Sequence, residues 1–495
     1  MDTRRSVRPL SRRHFLGTLG ALSGAALIAA CSQPSQPAAS KPAETKPAES
    51  KPAAPAAPAQ ATTAPAAAAK PAGAPPAAPA AAAPAAEPKV TAGVFNVWFS
   101  ANWNELTDKA IGDSFVKWGQ NNGGIKVEWQ SIPGSPQILS KQSAALAAGQ
   151  PPEVVKDYMV YWYGQGEMPD VKSIATKFKD KAGGMYDIAF SSLTANDGAM
   201  FAIPWAIDVW PPQWRSDIIG PANNGQFFET WEKVLEIGPK VQKPPQTFTF
   251  AMAIGHEGDH VNNLVTILWA YGGRLNDEKG VPDIKNPANK KGLEIIKQLW
   301  DAKLMPPEGF AQTVTSYNNE TYQKGRALMA INPATIMGWL LVNDKELADK
   351  TGIAQPPKGS AGSFAEGSAL AFGYFKKAKL ADKSPAALEA FMDPGNLEGI
   401  SKAVEGRFVP IYRDHAKGDF WEKSKFAEMR KIAENGRVRN WPAPAQAWID
   451  DVTDARYTLS DMMSKILKDG MSIEDAQAAA QTDMMDAYNK ATKKS

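Results

Sequence analysis

The arrangement of apolar and polar positions beyond residue 93 alternates between two periods. Val94 to Phe99 is almost continuously apolar and predicts a buried strand. Ile111, Phe115 and Trp118 then fall at i, i+4 and i+7, one face of a helix. Ile125, Val127 and Trp129 alternate with Lys126 and Glu128, which predicts a half-buried strand. A helix over about residues 137–148 follows, then a short apolar piece at Val154-Val155. Strand and helix in this order predict a parallel sheet with crossover helices.

Later segments read as more helical. Leu293, Ile296 and Trp300 make one helical face before Pro306-Pro307, and Ile449, Val452, Leu459, Met463 and Ile466 make another. Ser472-Ile473-Glu474-Asp475 has the form of an N-cap with an acidic first turn, opening a last helix through Met484 and Tyr488. Some 400 residues are patterned in this way, more than one hydrophobic core usually holds, so two lobes are expected.

The first 88 residues are of a different kind. Arg4, Arg5, Arg8, Arg12 and Arg13 precede a modest apolar run from Phe15 to Ala30, interrupted by Gly17, Gly20 and Gly24. That is the layout of an export signal and too weak for a convincing transmembrane helix. Ser11-Arg12-Arg13-His14-Phe15-Leu16 resembles a twin-arginine signal, and Ile28-Ala29-Ala30-Cys31 resembles a lipobox. Residues 1–30 are expected to be removed and Cys31, the single cysteine, to be lipidated. Residues 31–88 are mostly Ala and Pro, with a loose Lys-Pro-Ala repeat, and nothing in them can build a core. They predict a disordered tether, on the order of 170 Å if fully extended. An exported body on the outer face of the cytoplasmic membrane, in a periplasm or at the cell surface, is the expected location.

Charge separates along the same line. Residues 1–30 carry five Arg and one Asp, and residues 31–88 four Lys and three Glu; with +3 for the whole chain, residues 89–495 come to −2. The body is nearly neutral, which removes the general electrostatic argument for nucleic acid as a partner. All fifteen tryptophans lie at or beyond Trp98. Trp118, Trp231 and Trp300 suit helix faces in a core. Trp103, Trp162, Trp205, Trp210, Trp214, Trp339, Trp441 and Trp448 fall in predicted loops and together favour a cleft that grips an amphipathic ligand such as a sugar.

From Val94 onward the order of segments resembles the extracellular solute-binding proteins of ABC importers, the group that contains maltose-binding protein. The resemblance is carried by Leu146-Ala147-Ala148-Gly149-Gln150-Pro151-Pro152-Glu153-Val154-Val155, Phe201-Ala202-Ile203-Pro204, Thr230-Trp231-Glu232, Tyr271-Gly272-Gly273, Gly325 to Asn332, and Gly406-Arg407-Phe408-Val409-Pro410. It implies an α/β fold of two lobes joined by hinge segments, with the ligand in the cleft between them. Lobe 1 is expected at about residues 89–205 and 356–403, and lobe 2 at about 210–352 and 409–495. It implies a monomer without cofactor or catalytic activity. Such a protein captures a small solute, expected to be a sugar or oligosaccharide, and passes it to the transmembrane subunits of an ABC permease.

The same resemblance places ligand contacts at Ser100, Asn102 and Trp103 after the first strand, and at Asp157 and Tyr158 after Val155. It places others at Asp208 near the hinge, at His260 and Asn262 in a loop before Tyr271, and at Trp448, where the family has an aromatic that stacks on a sugar ring. Pro333-Ala334-Thr335 departs from the family's Gly-Pro-Trp, which argues against a maltose-like ligand.

Two other readings compete. A peptide, a polyamine or another polar solute would suit the same role, and Asp157 and Asp208 could contribute to a polyamine site. More remotely, His256-Glu257-Gly258-Asp259-His260 fits H-E-x-x-H, the zinc-hydrolase pattern. That chemistry needs both histidines on one turn of helix, and Gly258 and Asp259 are poor helix formers after the strand-like segment from Phe248.

Overall fold

The computed structural model describes residues 93–102, 105–133, 135–311, 317–403 and 406–492, so the signal, the tether with Cys31, and Trp103 lie outside it. The first predicted strand forms as β1 (Phe95–Ser100), buried along its whole length. It pairs in parallel with β2 (Val127–Ile132), Phe95 opposite Val127 and Trp98 opposite Gln130, and with β3 (Val154–Val155) on its other side. The helix Glu105–Asn121 packs Ile111, Phe115 and Trp118 inward, as their spacing predicts. Gly112 lets that helix lie against β2, because a Cβ there would stand 2.1 Å from the Trp129 ring.

The remaining strands of this sheet are β4 (Ile203–Val209), β9 (Gly367–Tyr374) and β10 (Val409–Pro410), giving the order β10-β4-β9-β3-β1-β2. Here the structure departs from the expected parallel sheet. Strand β9 runs antiparallel to both β3 and β4, and β10 antiparallel to β4. The reason is topological: β9 does not follow a crossover helix on this sheet but returns from the other lobe, so it enters from the opposite end.

A second sheet, order β6-β7-β5-β8, is made of β5 (Pro212–Arg215), β6 (Phe248–Phe250), β7 (Ala327–Ile331) and β8 (Thr351–Ile353). Its helices include Trp231–Val241, capped by Thr230, whose side chain accepts the Lys233 N–H at 3.1 Å, and the wholly buried His260–Ala270. Trp231, Trp269, Leu293 and Ile296 are fully buried in the core beneath this sheet, whereas Phe95, Phe115, Phe372 and Phe391 cluster beneath the first. The chain passes between the sheets three times: from Val209 to Pro212, from Ile353 to Gly367, and between Asn435 and Ala447.

The C-terminal region packs on the second core in three pieces rather than the two expected. The apolar face predicted from Ile449 to Ile466 is interrupted. A short helix, Ala447–Asp450, widens into a π-turn at Asp451–Ala455, and Tyr457 at φ 54° precedes the helix Thr458–Leu467. The last helix, Ile473–Thr492, opens as predicted, with Ser472 Oγ accepting the Asp475 N–H at 3.1 Å.

Candidate functional site

Where the three crossings meet, the strand ends and loops of both sheets enclose a cavity of about 1520 Å³. Ser100, Asn102, Lys156, Tyr158, Asp208 and Arg407 line the side belonging to the first sheet; Glu257, Asp259, Trp448, Asp450, Asp454 and Tyr457 line the other, with Trp210 and Arg439 on the crossings.

The first wall is a fixed ionic lattice. Lys156 directly follows β3 and is 5% exposed. Its ammonium donates to Asn102 Oδ1 at 2.6 Å and to the Ser100 carbonyl at 3.3 Å, and burial pulls its pKa down. Asn102 also donates to Asp108 Oδ1 from its backbone (3.0 Å) and its side chain (2.8 Å). The Ser100 N–H donates to Asp157 Oδ2 at 3.2 Å. At the next position inward, Arg407 holds Asp208 with two parallel hydrogen bonds of 2.7 and 3.2 Å while its guanidinium covers the Phe408 ring at 3.9 Å. Bidentate pairing of this kind fixes both side chains before any ligand arrives.

The second wall is acidic. Burial pushes the Glu257 carboxyl up to about 9 and those of Asp259 and Asp450 up to about 7. Asp454 is raised for the same reason, although its side chain still meets solvent, because the cleft walls surround it. Arg439 is the cation at their centre. It pairs with Glu366 at 3.4 Å and donates to Asn262 Oδ1 at 3.0 Å. Tyr158 and Tyr457 look onto this wall with left-handed backbones, φ 55° and 54°. Non-glycine residues so held cluster at ligand sites, where surrounding structure maintains the strain.

The residues expected to contact ligand divide accordingly. Ser100, Asn102, Tyr158, Asp208 and Trp448 lie on the cavity wall. Asp157 stands behind it, holding the Ser100 backbone. His260 and Asn262 are not in a loop: they occupy the first turn of the helix His260–Ala270, 2% and 1% exposed, behind the wall. Trp448 is 2% exposed and its indole N–H donates to the Gly280 carbonyl at 3.0 Å, so most of the ring belongs to the core. Trp162, Trp205 and Trp214 are likewise buried, which corrects the reading of the loop tryptophans as a binding set. Sequence reasoning did not single out Lys156, Arg407, Arg439, Asp450, Asp454 or Tyr457. The pair Asp450/Asp454, four apart beside the apolar positions Ile449 and Val452, was the available signal.

The H-E-x-x-H segment does not have the arrangement its chemistry needs. The helix starts at His260, so His256 and Glu257 precede it. His256 Nε2 contacts Asp461 Oδ1 at 2.7 Å with its ring stacked 4.7 Å from Tyr457, while His260 Nδ1 is satisfied by the Glu257 carbonyl.

Residues 113–428 match the family model of bacterial extracellular solute-binding protein, and the chain belongs to that family. It is therefore an exported solute-binding protein. No curated protein matches it in sequence. Solved structures share its fold across almost their whole length. The maltose-bound MalE3 of T. maritima is 18% identical, with a TM-score of 0.65 over 79% of this chain and 98% of that one. A sugar transporter from Arthrobacter chlorophenolicus with bound laminaribiose is 16% identical, with a TM-score of 0.66 over 80% and 99%. The GacH receptor of Streptomyces glaucescens, solved unliganded and with acarbose, is 15% identical, with a TM-score of 0.65 over 80% and 98%. This likeness establishes the fold as the two-lobed periplasmic-binding-protein type, with its cleft between the lobes.

Proposed function

We propose that the protein captures a sugar or oligosaccharide in its interlobe cleft and delivers it to an ABC permease, acting as a receptor and not as an enzyme. The observation that carries this reading is the cavity itself. It is large enough for a saccharide of a few rings, it sits on the three crossings, and it combines aromatic faces (Trp210, Tyr158, Tyr161, Tyr457) with pre-fixed polar groups such as the Asp208–Arg407 pair. Sugars present hydroxyl edges and apolar ring faces, and such a wall can satisfy both. Maltose, laminaribiose and acarbose in three proteins of the same fold support the same ligand class. Solute binding would favour one relative placement of the lobes, and that placement would be recognised by the permease.

Lipidation at Cys31 and the Ala/Pro tether would keep this receptor within reach of the membrane while leaving it free to rotate. The two lobes are proposed to divide at the crossings; residues 409–435, expected in the second lobe with 409–495, are assigned instead to the first, with residues 89–205 and 356–403, because β10 pairs with β4 and Tyr412, Trp421 and Met429 pack in the first core, which leaves residues 210–352 and 447–492 to the second. A thermal-shift panel of mono- and disaccharides, amino acids, short peptides and polyamines tests the ligand class. At least one saccharide should raise the melting temperature with a dose dependence that follows mass action. Stabilisation by amino acids or peptides, with none by any saccharide, would sink the sugar assignment.

A further inference from the structure

The cations on the cavity wall are unevenly committed: Arg456 pairs with Asp451, Asp483 and Asp486, and Lys490 with Asp486. Arg407 is committed to Asp208, and Lys156 to the Ser100 carbonyl and Asn102. On the opposite wall one guanidinium, Arg439, serves Glu366, Asp259, Asp450 and Asp454 at once. Its ion pair is with Glu366, not with the three aspartates on the wall.

A second observation is independent of that count. Glu257 is 3% exposed and lies on the cavity wall; Oε2 accepts the Asp259 N–H at 2.8 Å, but Oε1 has no hydrogen-bond partner. A buried carboxylate oxygen left without a donor is costly. Asp454 and Tyr457 face it, and Tyr158 faces Asp454 and Asp450 from the same cavity. Carboxylates flanked by aromatic faces are the chemistry that receives an ammonium group. Among the described residues no three His, Cys, Asp or Glu side chains converge as metal ligands, so a cation here would meet the carboxylates through the separate N–H donors of an ammonium.

We propose that the solute is an amine-bearing sugar, its protonated amine held on the wall that Glu257, Asp450 and Asp454 line. This rests on the sugar-capture reading and narrows it. The raised carboxyl pKa values fit the same picture: without a cation, Glu257 (facing Asp259 and Asp454) and Asp450 (facing Asp454 and Arg439) take up protons, and an arriving ammonium displaces them. Binding then releases protons.

Three matched series separate the possibilities in calorimetric titrations of the full-length protein: glucosamine, N-acetylglucosamine and glucose, each as the monomer and as its α-1,4 and β-1,4 dimers, with spermidine, calcium and zinc alongside. The amine member of a series should bind at least about 10-fold more tightly than its hydroxyl and acetamide counterparts. Its apparent enthalpy should change between phosphate and Tris buffers, reporting released protons. Asp454→Asn and Asp450→Asn should bring the ratio towards one while melting no lower than the parent, since each removes a crowded negative charge. Equal or tighter binding of the hydroxyl or acetamide members overturns the amine and leaves sugar capture standing. Spermidine binding with no saccharide binding overturns the sugar body instead. Stoichiometric metal uptake without amine binding, or no binding by any glucosamine-series member, also overturns the proposal.

Discussion

Arg407 and Asp208 show how a single pair can serve packing and site together. Their side chains are 10% and 14% exposed, so neither charge can be left to water. Replacing Arg407 with Met should destabilise the fold by about 3 kcal/mol, because an unpaired carboxylate remains buried. Adding Asp208→Asn should restore much of that loss; urea unfolding of the two variants measures the difference, and a double variant no more stable than the single would contradict the argument. Asp208 was legible in the sequence as a carboxylate after the Ile203-Pro204 strand. Its partner was not, although Arg407 stands in Gly406-Arg407-Phe408-Val409-Pro410, because 199 residues separate the two and no local pattern links them. Trp448 illustrates the opposite error. Its position on the wall was legible, but the hydrogen bond to Gly280, 168 residues away, that turns the ring into the core was not.

Elements were read most faithfully where a period was long and local. The helix Glu105–Asn121 and the last helix with its Ser472 cap formed as their sequences predict. The glycine that seats the first of these gives a direct check. Gly112→Ala would drive a methyl group into the Trp129 ring, and overpacking of this kind costs about 1–3 kcal/mol. A lowered melting temperature is expected, with Trp129 displaced from its stacking on Phe99 at 5.7 Å; an unchanged melt would mean that the helix can slide away from β2. Two element-level features were not legible. Strand β9 reverses because its chain arrives from the other lobe, and strand direction leaves no trace in the apolar pattern. The break at Tyr457 hides inside a continuous apolar face, because the π-turn at Asp451–Ala455 inserts a residue without exposing Val452 or Leu459.

At the scale of the whole molecule, the near-neutral body conceals a cleft with buried carboxyls on one wall, and pH should reveal them. Folding raises Glu257 to about 9 and Asp259 and Asp450 to about 7, against roughly 4 for unfolded carboxylates. The folded state therefore holds more protons than the unfolded state between those limits, so this contribution to stability is complete below about pH 4 and is lost as pH rises through 7 to 9. His260 works in the other direction: burial lowers it to about 4, so its contribution is complete above about 6.5 and is lost on acidification. Above about pH 6.5 the histidine is increasingly neutral in both states, and the three raised carboxyls stand against the one lowered amine on the cleft, Lys156, which works in the opposite direction. The melting temperature of the solute-free protein should fall from about pH 6.5 to about 9, and Glu257→Gln should flatten the upper part of the fall. A melting temperature that is constant or rising from pH 6.5 to 9 would show that the acidic wall is already compensated, and would remove the electrostatic reason for a cationic solute.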